Sequence, residues 1–212
     1  MEKKNIKDII NEVTDQTFDQ IGKVYENRQE GKTTSDVGVG TRLIFPHYRK
    51  ENEEIKIRVS EQELKQIFIE NFNNYCKDKY DLFYSVETPT EYKYSFSDKT
   101  NPRRDDETGQ SAMVDLSIHD KDLNRIALIE FKALNPEKFC FKKDFCKLSE
   151  EKNKRELCTF FIMMVESANN GTLKSLNEKV FMTNKDDDTI YRCYCLKQGE
   201  EITKSIRDFK EK

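Results

Sequence analysis

The sequence predicts an α/β fold, a central mixed β-sheet flanked by helices, with an extra N-terminal helical segment. Three observations predict it. A capped amphipathic helix opens at Ser60, two apolar strands joined by a short polar connection run between Ala112 and Ala133, and helical and strand segments then alternate up to Lys197. No internal repeat with a period of roughly 20–50 residues is present, which argues against a solenoid.

The chain has 212 residues, enough for one domain with a terminal appendage and a genuine core. Its 37 basic and 40 acidic side chains leave a formal net charge of −3. Only 35% of residues are hydrophobic and 36% are charged, yet 14 Phe and 9 Tyr supply the burial that offsets chain entropy, so wholesale disorder is not expected. No stretch approaches the roughly 20 apolar residues of a membrane span. The N-terminal region carries no apolar core of an export signal. A cytoplasmic protein that does not enter a membrane is the expectation. The charge balance excludes a strongly basic nucleic-acid coat, but not an enzyme with a local nucleic-acid patch.

Taken in order, Ile6, Ile9, Ile10, Val13, Phe18, Ile21 and Val24 recur at helical spacing, and Gly31 supplies a stop. The next stretch holds Gly38, Gly40 and Pro46 and reads as a linker with a short strand at Thr41–Phe45. Residues 1–58 are therefore expected to form an N-terminal helix and irregular extension, and residues 59–212 the core. Ser60 and Glu63 have capping-box spacing, the serine accepting from the N3 amide and the glutamate reaching back. Leu64, Ile67, Phe68, Phe72 and Tyr75 form the apolar stripe of that helix. The aromatic segment from Asp81 to Phe96 contains Pro89 and reads as strand, turn and strand. A charged, turn-rich loop follows over residues 97–111. Ala112–Asp120 and Arg125–Ala133 then read as strands flanking a connection of hairpin length. Beyond them come a helix from Phe141, a buried strand from Thr159, a short helix from Asn169 and a last strand from Thr189.

Six cysteines, Cys76, Cys140, Cys146, Cys158, Cys193 and Cys195, form no Cys-x-x-Cys pair, so reduced thiols are expected rather than a zinc site. His47 and His119 are the only histidines, too few for a histidine-rich metal site.

The residues that carry chemistry are Asp115, Glu130 and Lys132. Side chains alternate along a strand, so Glu130 and Lys132 share one face while Ile129, Phe131 and Ala133 point the other way. Asp115 likewise interrupts an apolar run between Val114 and Leu116. Charges placed inside apolar strands are costly unless paired or used. If the two strands pair as a hairpin, Asp115 and Glu130 converge, and two carboxylates are hard oxygen ligands suited to Mg²⁺ or Mn²⁺. Lys132 can then orient or help deprotonate an attacking water, or stabilise negative charge growing on a phosphate.

An aspartate at Asp115, fourteen residues, then Glu130-Phe131-Lys132 resembles the PD-(D/E)xK nuclease superfamily, with its restriction-endonuclease-like core. The proline usual before the aspartate is replaced by Val114. The resemblance covers about Ser60 to Leu196. It implies divalent-metal hydrolysis of phosphodiester bonds, DNA more than RNA, with Mg²⁺ or Mn²⁺ held by Asp115, Glu130 and the Phe131 carbonyl. A bacterial restriction, repair or phage-defence setting is also implied. A catalytically inactive nuclease fold serving protein interaction or nucleic-acid binding is the alternative. A further acidic residue is sought at Glu61, Glu63 or Glu87, whereas Glu70 lies off the apolar stripe and reads as solvated. Lys143 and Lys147 are candidates for phosphate contact, against the plainer reading of a solvated helix face. Arg103 and Arg104 can grip a backbone, although Asp105, Asp106 and Glu107 follow directly. The N-terminal helix, outside the resemblance, is a candidate surface for a homodimer or a protein partner.

Overall fold

The computed structural model describes residues 4–30, 40–49, 55–98, 100–182 and 188–210. It begins with α1 (Ile6–Gln29), whose Asn5 cap accepts a hydrogen bond from the Asp8 N–H at 2.9 Å. A small antiparallel hairpin, β1 (His47–Arg49) with β2 (Ile55–Ile57), leads to α2 (Glu61–Cys76). Four strands follow, β3 (Phe83–Ser95), β4 (Arg103–Arg104), β5 (Gln110–His119) and β6 (Arg125–Ala133). Then come α3 (Lys138–Arg155), β7 (Cys158–Val165), α4 (Asn170–Val180), β8 (Ile190–Cys195), β9 (Glu200–Glu201) and α5 (Thr203–Arg207).

Seven strands form one mixed sheet in the order β4-β3-β5-β6-β7-β8-β9. The β6–β7 and β7–β8 pairs are parallel and the others antiparallel. Strand β7 is buried almost throughout, as a parallel strand covered on both faces must be. One face packs Leu116, Ile129, Phe131, Phe160 and Ile162 against α1 and α2; the other packs Leu128, Phe161, Met163 and Cys193 against α3, α4 and α5. The apolar stripe of α1 lies inside this core, with Phe18 stacked on Tyr194 of β8 at 5.2 Å. A Cβ on Gly22 would lie 2.2 Å from the Tyr194 hydroxyl, so a larger residue there would have to displace that buried ring from its stack on Phe18.

Several local expectations need correcting. The short strand falls at His47–Arg49 rather than Thr41–Phe45. Phe45 is tied instead through its carbonyl, which accepts from Arg28 Nε at 3.0 Å. Phe83–Ser95 is one strand with a bulge between Pro89 and Lys93, where a turn was expected. Around Pro89 the strand pairs on one side only, and such an edge tolerates a residue without an N–H. The loop over residues 97–111 contributes β4, and β9 and α5 are too short to show a period in sequence. The stop expected at Gly31 lies outside the described residues.

Candidate active site

The β5–β6 ladder runs antiparallel as far as Leu116 opposite Ile129 and ends there, one position short of Asp115 and Glu130. Where the strands part, the Asp115 carboxylate replaces a backbone acceptor: its Oδ2 takes the Phe131 N–H at 2.8 Å. On the other side of β5, the register places Glu87 of β3 opposite Asp115, between the Val86–Leu116 and Thr88–Val114 pairs. Glu87 adopts a left-handed backbone with φ 46°. Lys65 reaches in from α2 and bridges the two, 2.7 Å from Glu87 and 3.8 Å from Asp115.

Glu130, only 2% exposed, meets groups from α3. Lys147 Nζ lies 2.5 Å from Glu130, 2.9 Å from Asp144 and 2.8 Å from the Met113 carbonyl. Lys132 Nζ lies 3.0 Å from Asp144 and 3.6 Å from Glu61 at the start of α2. Five carboxylates, Asp115, Glu130, Asp144, Glu61 and Glu87, are thus interleaved with three ammonium groups, Lys65, Lys132 and Lys147. Burial pushes the Glu130 carboxyl well above its usual range, and the like charge of Asp144 adds to this while Lys147 opposes it. Burial alone would lower both ammonium groups. For Lys132 the Asp144 and Glu130 carboxylates more than offset it, and for Lys147 the same two groups do so, leaving both raised.

The structure therefore brings Asp115, Glu130 and Lys132 together, with Glu61 at the edge and Glu87 joined through Lys65. Glu63 is occupied by the cap, accepting from the Ser60 N–H at 3.0 Å and hydroxyl at 2.5 Å. Lys147 is buried inside the cluster and not on a solvated face. Lys143 instead lies 5.5 Å from the Phe96 ring. Arg103 and Arg104 sit on β4; Arg104 stacks on Tyr92 at 3.3 Å and pairs with Asp106 at 2.5 Å. Sequence reasoning missed Lys65 and Asp144. The signal for Asp144 was present, because it interrupts the apolar series Phe141, Phe145 and Leu148 on the buried side of α3.

Among the described residues, no group of three or more His, Cys, Asp or Glu side chains is arranged to hold a metal ion. The oxygen donors at the parted strands are the Asp115 and Glu130 carboxylates and the Phe131 carbonyl, which accepts from Lys132 Nζ at 3.2 Å. Asp144 Oδ2 is buried and faces the Lys132 ammonium at 3.0 Å, out of line for a hydrogen bond. A donor set of hard oxygens fits Mg²⁺ or Mn²⁺ and not a soft metal. No helix of the described residues is long and apolar enough to cross a membrane. A scan of protein-family models, a search of curated proteins and a search of solved structures each return no match.

Proposed function

We propose that the chain is a divalent-metal-dependent nuclease of the PD-(D/E)xK kind, with a restriction-endonuclease-like core and DNA as its favoured substrate. The observation that carries this reading is the convergence of Asp115, Glu130 and Lys132 where β5 and β6 part, between α2 and α3. Apart from the two-residue β4, the order α2, β3, β5, β6, α3, β7 supports it, being the helix, three strands, helix and strand that the resemblance implies.

Asp115, Glu130 and the Phe131 carbonyl would hold the metal. When bound, Mg²⁺ or Mn²⁺ supplies a Lewis acid that polarises a phosphoryl oxygen and makes water more acidic. Lys132, kept protonated by Asp144 and Glu130, orients the attacking water and faces the negative charge that grows on the phosphate. Lys147 favours the ionised form of Glu130 and fixes it against α3. Lys65 holds Asp115 and Glu87 at one position. A cytoplasmic role in restriction, repair or phage defence suits such chemistry.

One observation favours the second reading, an inactive nuclease fold used for binding. Lys65, Lys132 and Lys147 already pair with Asp115, Asp144 and Glu130, so ammonium groups stand where a metal's charge would otherwise be needed. A cleavage assay separates the two. Single-stranded DNA, duplex DNA and RNA are incubated with Mg²⁺, Mn²⁺ or a chelator, using wild type and Lys132→Ala. Metal-dependent cleavage that Lys132→Ala removes supports catalysis. No cleavage, or equal cleavage by both proteins, rejects this assignment.

A further inference from the structure

Beside the candidate centre lies a cavity of 270 Å³ lined by Tyr48, Ile57, Arg58, Val59, Leu134 and Glu166. Its walls are continuous with the centre along the chain. Leu134 follows Lys132 by two residues, and Val59 precedes Glu61 by two. The Glu61–Lys132 pair at 3.6 Å joins these two segments. Leu134 and Glu166 also stand just beyond the carboxyl ends of the parallel strands β6 and β7, where open α/β sheets bind their ligands.

Two of its lining residues are unusual. Leu134 is 45% exposed and holds φ 65°, while its N–H donates to the Met164 carbonyl at 2.8 Å and fixes that conformation. A left-handed leucine with its side chain in solvent contributes strain and little burial, and such residues concentrate at ligand sites. Tyr48 is 43% exposed on the β1–β2 hairpin. The base of that hairpin is pinned, because the Arg58 N–H donates to the Pro46 carbonyl at 2.8 Å. An aromatic ring and an aliphatic side chain thus line one cavity on fixed backbone, with an arginine between them in the chain. Glu166, the one carboxylate of the lining among the described residues, is paired with Lys197 at 2.9 Å, which offsets its repulsion of an anion.

We infer that this cavity takes one unpaired nucleobase of a DNA strand, stacked against Tyr48 and Leu134, with Arg58 at the adjoining phosphate. The inference rests on the nuclease reading above and goes beyond it by selecting single-stranded or unstacked DNA over intact duplex. The volume lies just below the roughly 300–1,000 Å³ of small-molecule sites, which suits one base and excludes a base pair with its neighbours. Stacking on an aromatic ring is tolerant of base identity, so little sequence preference is expected at this position.

The test is anisotropy of a fluorescein-labelled single-stranded oligodeoxynucleotide in chelator, with its duplex as the comparison. Tyr48→Ala and Leu134→Gly should each weaken single-strand binding by about 5- to 100-fold. Tyr48→Phe, which keeps the ring, should bind as wild type does. Leu134→Gly should melt no lower than wild type, because glycine accepts a positive φ and an exposed side chain leaves no void. Unchanged binding in Tyr48→Ala and Leu134→Gly overturns the inference, and so does a preference of the wild type for duplex. Metal-dependent cleavage that persists in those cases leaves the nuclease reading standing. Tyr48- and Leu134-dependent binding without cleavage in any metal keeps the base site and rejects the nuclease.

Discussion

Helix α3 presents two buried carboxylates to its surroundings, Asp144 and Glu151, two turns apart and each 2% exposed. Glu151 accepts from the Glu91 N–H at 2.9 Å, the Tyr92 N–H at 3.0 Å and the Tyr94 hydroxyl at 3.0 Å. The two N–H donors lie in the bulge between Pro89 and Lys93, so Glu151 replaces the ladder partner that the bulge removes. Asp144 has no such fixed donors. It lies between two ammonium groups on long side chains, one at each oxygen, and close enough to Glu130 to raise that carboxyl. The first arrangement satisfies the fold. The second gathers buried charges that well-packed apolar residues would replace without loss of stability, and it calls for a function.

Substitutions at the two centres should separate these roles. The largest effect is expected at Lys132→Ala, about a 100-fold or greater loss of cleavage per folded molecule, in a protein that still folds because Asp144 keeps Lys147 as a partner. Glu151→Ala should do the reverse. It strands two backbone N–H groups and a tyrosine hydroxyl, a loss of about 3 kcal/mol or more in urea unfolding. Cleavage per folded molecule should persist. If Glu151→Ala silences cleavage at full stability, or Lys132→Ala unfolds the protein, the division between the centres fails.

A buried group without nearby carboxylates calibrates what burial alone does. Burial pushes the Cys76 thiol up to about 11, with Lys79 opposing weakly. The folded state therefore holds this proton more tightly than the unfolded state. Stability should be full below the ordinary thiol value and fall as pH rises from there through about 11. Cys76→Ala should remove that part of the slope, measured as the wild-type minus variant difference in urea unfolding across pH. An unchanged difference would contradict it.

The smallest effects concern backbone. Glu156 ends α3 at φ 53° and Glu87 adopts φ 46° at the candidate centre. Glu156→Gly should stabilise by roughly 0.5–1 kcal/mol and leave cleavage unchanged. Glu87→Gly relieves similar strain but frees Lys65 beside Asp115, so cleavage should fall several-fold. Equal cleavage in both variants would place Glu87 with the structural residues.

The sheet, its flanking helices and the core of the candidate site were legible because strands make charge conspicuous. Asp115, Glu130 and Lys132 stand inside runs where the alternating pattern leaves no room for casual polarity. The contributions of α2 and α3 were hidden by the same chemistry in a different setting. In a chain with 36% charged residues, Lys65, Asp144 and Lys147 resemble the solvated side of any helix. Only their position relative to Phe141, Phe145 and Leu148, or to Leu64 and Phe68, distinguishes them. The apolar stripe of α1 was legible as a helix face, but its packing inside the chain's own core is a fact about tertiary contact that periodicity does not contain. The cavity by Tyr48 joins three segments distant in sequence and had no local signature at all.

The central claim is that Asp115 and Glu130 form a metal centre, and calorimetric titration of Mn²⁺ into the full chain without nucleic acid tests it most directly. One saturable site in the wild type, lost in Asp115→Asn while the melting temperature holds, is the predicted result. A wild type that takes up no Mn²⁺, or an Asp115→Asn protein that binds it equally well, would contradict the account.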